Sequence, residues 1–138
     1  MRKRMFLALL ALVAAAPLTF AQIARFAGSW TNVAASRGIV KVVVTPVGSG
    51  ATVQVFGSCT PTPCDWGVQK ATVYSPNVTS NPVTAAVAMT ATYRFGFKEA
   101  IVVLKPDGPK GLAGEFYSRF TDSSGRSNYV LFERFVRR

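Results

Sequence analysis

Hydrophobic residues recur at every second position along most of this chain. Val40, Val42 and Val44 alternate with Lys41, Val43 and Thr45, which puts the even positions on a core face. Gly48-Ser49-Gly50 is a turn, and Val53 and Val55 then alternate with Thr52, Gln54 and Phe56. The cleanest period-two run goes from Val83 through Ala85, Val87, Met89, Ala91 and Tyr93, and predicts one long strand. Beyond Gly96, Ala100, Val102 and Leu104 continue the pattern up to the turn Asp107-Gly108-Pro109-Lys110-Gly111. Leu112, Phe116 and Phe120 stand opposite Glu115, Tyr117 and Arg119; Asp122-Ser123-Ser124-Gly125 turns again, and Tyr129 to Val136 closes the chain. With segments near 28–33 and 67–75 these make eight candidate strands, joined by mostly short, turn-rich connections. No stretch after residue 21 has helical periodicity.

Eight meandering strands favour an all-β, antiparallel up-and-down barrel, because closure removes exposed sheet edges. A two-sheet β-sandwich is the alternative. The final strand carries apolar residues on both faces, Val130 and Phe132 on one and Leu131 and Phe135 on the other. Its outer face is therefore expected to be covered, with a homodimer through the last strand as one way to cover it.

The first 21 residues read as a secretory signal. Arg2, Lys3 and Arg4 form a basic start, Met5 to Ala16 an apolar stretch, and Thr19-Phe20-Ala21 a cleavage site before Gln22. The competing reading, an uncleaved anchor, needs about 20 apolar residues, more than this stretch offers. Cleavage leaves 117 of the 138 residues as one domain, residues 22–138, with a secreted or periplasmic location and no later transmembrane span. In an exported chain a lone cysteine pair is most simply a disulfide, here Cys59 to Cys64 around Thr60-Pro61-Thr62-Pro63. The result is a stiff loop tip with Asp65 and Trp66 just behind it, a candidate recognition surface for a sugar ring or a peptide. The alternative is that Trp66 only covers the barrel mouth while Asp65 satisfies loop amides.

Charge changes the picture little. Of sixteen basic residues three fall in the leader, so thirteen face six acids in the remainder, a net of +7. The basic residues are scattered one by one, except for Arg134, Arg137 and Arg138, and no nucleic-acid motif occurs, so no nucleic-acid partner is expected. The chain has no histidine, which excludes a Ser-His-Asp or Cys-His nucleophile and imidazole ligation of a metal. With both cysteines oxidised, no metal site and no cofactor is expected. Six carboxylates remain after residue 21, and the sequence brings no pair of them together, so the expectation is a binding protein and not an enzyme. Asp122 and Arg126 read as a pair that locks a hairpin, the Asp capping its own turn.

Gly28-Ser29-Trp30-Thr31-Asn32 resembles the Gly-x-Trp opening of the calycin barrels, the lipocalins and avidins. The lipocalin resemblance implies that Trp30 plugs the closed end of the barrel with a late arginine, Arg134 or Arg119, packed across it. The avidin resemblance implies that Asn32 reaches a ligand, and the fold as a whole implies a carrier of a small hydrophobic ligand. A second resemblance spans most of the chain after residue 21. Gly-x-Trp-x-Asn, Cys-x4-Cys-Asp-Trp-Gly, the stretch from Phe120 through Asp122 and Arg126 to Tyr129, and the ending Phe132-Glu133-Arg134-Phe135 are similar to a family of small exported bacterial β proteins of unsettled function. The open readings are thus a ligand carrier, a module for an extracytoplasmic ligand or protein, a structural envelope protein, and, last, a hydrolase.

Overall fold

A computed structural model describes residues 22–34 and 37–138. The signal segment, residues 1–21, lies outside the described residues. After a short 3-10 helix, Gln22–Arg25, come eight strands: β1 Gly28–Asn32, β2 Ile39–Val47, β3 Gly50–Gly57, β4 Cys64–Tyr74, β5 Ala88–Arg94, β6 Lys98–Asp107, β7 Gly111–Phe120 and β8 Tyr129–Arg137. Each strand pairs antiparallel with the next, and β8 returns to β1, so the sheet is a closed up-and-down barrel. Among the described residues no helix is long and apolar enough to cross a membrane.

Alternation drives the barrel inward on one face of every strand. Val42, Val44, Val53 and Val55 point in, as do Met89, Ala91, Ala100, Val102, Leu104 and Leu112. The interior is thereby filled with side chains, as an eight-stranded barrel permits. Gly114 sits where Phe116 and Phe135 cross at 6.1 Å, and a Cβ there would lie 2.6 Å from the Phe116 ring. The absent side chain is what lets two phenyl rings share one layer.

Two departures from simple alternation shape the ends. A bulge between Ile39 and Lys41 turns Ile39, not Val40, into the core. The period-two run from Val83 joins the sheet only at Ala88. Residues 82–85 form a turn led by Asn81: the Asn81 Oδ1 accepts from the Val83 amide at 2.8 Å and its carbonyl from the Ala85 amide at 2.9 Å. The Val83 carbonyl in turn accepts from the Ile23 amide at 3.1 Å, so this segment ties the 3-10 helix to the wall.

Trp30 is buried at one end, the floor, where its indole N–H donates to the Phe26 carbonyl at 2.7 Å. The arginine lying across its ring is Arg137, 4.6 Å from the centroid, and not Arg134 or Arg119. Strand parity explains the correction. Phe135 and Arg137 share the inward face of β8, whereas Arg134 points out to Asp107 at 3.5 Å and Arg119 points out to Glu99 at 3.6 Å. On the outer face of β8, Phe132 is 70% exposed in the single chain.

Replacing Trp30 by alanine removes the largest buried side chain and an indole hydrogen bond together. We expect Trp30→Ala to cost about 3–5 kcal/mol in urea unfolding; a loss below about 1 kcal/mol would show that the floor is not built on this residue.

Candidate functional site

The barrel end opposite Trp30 gathers the connection from β3 to β4, residues 37–38, the 95–97 turn and the start of β8. Cys59 and Cys64 are bonded there, their Cα atoms 5.4 Å apart, and tether the loop that forms the lip. Immediately after the bond, β4 carries one extra residue: Gln54 pairs with Val68 while Phe56 pairs with Asp65. Gly67 supplies the left-handed backbone this bulge needs, with φ +86°. Asp65 fixes it from both sides, one oxygen accepting from the Gly67 amide at 2.8 Å and the other from Gln54 Nε2 at 2.9 Å. Asp65 therefore faces outward and holds the bulge; it does not line the mouth.

The effect of the bulge is to re-aim Trp66. Without the extra residue its side chain would follow Val68 and Lys70 to the outer wall. Instead it turns over the barrel end, half-buried, edge-on to Tyr93 at 5.6 Å and to Phe95 at 5.4 Å. These contacts bridge a thin seam, because β4 and β5 share only the pairs Thr72–Thr90, Val73–Met89 and Tyr74–Ala88. Burial, with the Asp65 charge adding to it, raises the Tyr93 phenol above its ordinary value, and its hydroxyl donates to the Val53 carbonyl.

A cleft of about 260 Å³ opens beside Trp66, with Phe116 and Leu131 in its lining, Cys59 and Cys64 on its lip, and Lys98 and Tyr129 at its sides. Lys98 holds its ammonium 4.6 Å from the Trp66 ring centroid and 5.3 Å from that of Phe95. Asn32 is close by in the fold but does not reach into the cleft as the avidin resemblance implies. It is buried and its amide is engaged: Nδ2 donates to the Ile39 carbonyl at 2.6 Å and to Glu133 Oε2 at 2.9 Å, and Oδ1 accepts from the Ala34 amide at 2.8 Å. Its work is to hold the chain that leaves β1.

Asp122 and Arg126 stand at the rim, 2.6 Å apart, and the guanidinium also covers Phe120 at 4.1 Å and Phe97 at 5.5 Å. The Ser124 hydroxyl and amide, then Arg126, hold the Asp122 carboxyl below its usual range. Two side chains at this end escaped the sequence reading, Lys98 and Ser118. The signal for both was present. Lys98 shares the parity of Ala100, Val102 and Leu104, and Ser118 that of Leu112 and Phe116, so both point inward near the mouth end of their strands.

Opening the Cys59–Cys64 ring releases a short loop, and the chain-entropy cost is about 2 kcal/mol. We expect Cys59→Ser to lower stability by that amount and to leave the barrel intact by circular dichroism; an unchanged melting curve would show that the bond does not restrain the unfolded chain. Asp122 gives a second expectation. Its folded pKa is depressed, so its stabilisation is complete above the ordinary carboxylate value and fades as pH falls through the folded one. Arg126→Ala should raise the Asp122 pKa part of the way back, since Ser124 remains, and an NMR titration that finds it unmoved would remove Arg126 from the pair.

Comparison of the sequence with protein-family models and with curated proteins finds no match.

Proposed function

We propose that this protein is an exported binding module whose recognition surface is the disulfide-tethered end of the barrel. The observation that carries the reading is the cleft beside Trp66, whose indole is brought there by a bulge and held by Asp65, Gly67 and the ring of contacts with Tyr93, Phe95 and Lys98. A bulge that turns an aromatic side chain away from its regular face and into a cleft is a familiar way to build a site. The leader and the disulfide support an oxidising compartment outside the cytoplasm.

Two alternatives are less well supported. A carrier of the calycin kind keeps its ligand in the barrel interior, and here that space is taken by Trp30, Tyr93, Phe116, Phe135 and the aliphatic residues between them. For catalysis, no convergent acid–base set is found among the described residues. Glu99, Glu115 and Asp107 pair with cations on the outer wall and Asp122 with one at the rim, Asp65 holds the bulge, and Glu133 accepts from Asn32.

The test is to titrate ¹⁵N-labelled protein with three soluble probes, a disaccharide, a capped dipeptide and an aryl acid. At least one should shift the Trp66 indole signal and the Gly57 amide, and Trp66→Ala should abolish that response at a stability cost of about 2 kcal/mol, less than for a fully buried indole. Shifts confined to other surfaces, or binding that survives Trp66→Ala, would overturn the assignment.

A further inference from the structure

The lining of the mouth cleft is uneven in its chemistry. Lys98 points into the barrel end, on the same face as Ala100 and Val102, and lies over the rings of Trp66 and Phe95; no carboxylate lies within ion-pair distance of it among the described residues. Ser118 is 4% exposed, and its hydroxyl makes no hydrogen bond to a protein group among the described residues. Strand parity aims it at the same cleft. The Trp66 indole N–H and the Tyr129 hydroxyl, both on residues of the lining, also have no acceptor among the described residues. Every one of these groups can donate a hydrogen bond, and one is a cation.

Carboxylates are scarce in the same place. Asp65 is turned outward to Gln54 and Gly67. Glu133 is the one inward carboxylate, and it pairs in register with Gly114, a layer deeper than Leu131, where Asn32 occupies one oxygen. A buried or half-buried donor without a partner is costly, more so beside apolar walls. An occupant that brings acceptors and negative charge relieves that cost; a neutral or cationic one does not. The rest of the lining is mixed, with Leu131, Phe116, Ile39 and the disulfide beside Ser58 and the backbone of Gly38 and Gly57, so an apolar body finds its seat on one side of the cleft. At about 260 Å³ the cleft is smaller than sites for drug-sized ligands, which begin near 300 Å³. One ring or a short chain fills it.

We propose, resting on the binding-module reading above, that the mouth cleft takes a small organic anion: its acidic group on Lys98 and the Ser118 hydroxyl, its apolar body between Trp66, Tyr129 and Leu131. Lys98 is the specificity-determining residue. Its aliphatic stem packs on the rings whatever the ligand, so the charge itself is what selects.

Three probes of one shape separate the possibilities: phenylacetate, phenylacetamide and phenethylamine, followed by the Trp66 indole and Gly57 amide signals in NMR titration at low salt. Phenylacetate should bind at least about five-fold more tightly than the amide, the amine weakest of all, as befits a charge-assisted contact at a partly exposed site. Lys98→Met keeps the stem and should erase the preference, Lys98→Arg should retain it, and thermal melts should show all three proteins folded. Ser118→Ala should weaken phenylacetate with little effect on the amide. Equal binding of acid and amide at these signals, or a preference that survives Lys98→Met, would overturn the anion assignment while leaving the cleft a binding site. No response at Trp66 to any of the three would sink the anion assignment, and the binding-module reading would then stand or fall on the disaccharide and dipeptide titrations.

Discussion

Closure of the sheet between β1 and β8 is the constraint on which the rest of this structure depends. It is also among the thinnest joints, with three residue pairs, Trp30–Arg137, Thr31–Val136 and Asn32–Phe135. Backbone bonds extend it at both ends, from the Val33 amide to the Arg134 carbonyl and from the Arg138 amide to the Ser29 carbonyl. Side chains then do what so short a ladder cannot. Arg137 covers the Trp30 ring and donates to the Arg25 carbonyl at 2.8 Å, while Trp30 donates to the Phe26 carbonyl, so the 3-10 helix, the first strand and the last are fastened at one point. Without that fastening both terminal strands would present open edges, and the inward faces of six other strands would lose their common core.

Much of this was legible in the sequence, because period two is an unambiguous signal where strands are regular. β2, β3, β6 and β7 place inside the residues that alternation assigns to the core, save where a bulge intervenes. One misreading comes from an insertion. At Ile39 an extra residue inverts the parity that would place Val40 inside, and nothing in a hydrophobic pattern announces an insertion of one; a second insertion re-aims Trp66. Gly67 behind Asp65 was the local clue, since an aspartate two residues ahead of a glycine amide commonly stabilises a left-handed turn. From Val83 to Val87 the opposite occurred. An alternating run of small and β-branched residues imitated a strand, while Asn81 and Pro82 ahead of it directed the backbone into a turn. The arginine over Trp30 was misassigned although parity could have decided it, because Phe135 inward requires Arg137 inward and Arg134 outward.

The two ends of the barrel are built from the same ingredients to different purposes. At the floor, Trp30 is buried, its N–H is satisfied and its face is covered by Arg137. At the mouth, Trp66 is half-buried, its N–H has no acceptor among the described residues and its face is shared with Lys98. A protein that needed only a second plug would gain by burying and pairing the second indole as it does the first. The mouth instead spends a bulge, a left-handed glycine and a disulfide on holding an aromatic ring at the edge of a cleft. Such devices add local constraint without enlarging the core, which is the pattern expected where geometry serves recognition and not stability.

The distribution of charge leads to the same end of the molecule. On the outer wall Glu99, Glu115 and Asp107, and at the rim Asp122, each lie against at least one cation, and exposed pairs of this kind contribute little to stability. Their effect is to neutralise the wall locally. Lys98 is different in kind, because it is turned inward by strand parity and half-buried against rings that attract it only weakly. A lysine at that position carries a desolvation cost that methionine or leucine would avoid while filling the same space. The ring contacts with Trp66 and Phe95 offset part of it, and solvent in the cleft offsets more. What remains is a positive charge held ready at the mouth of a basic barrel, with a serine hydroxyl and an indole N–H beside it. Removal of that solvent by a neutral occupant would leave the ammonium worse off than before, whereas an anion restores in one contact what water supplied. On the anion proposal, the same desolvation that disfavours a lysine in a core is what would make Lys98 selective as a site residue.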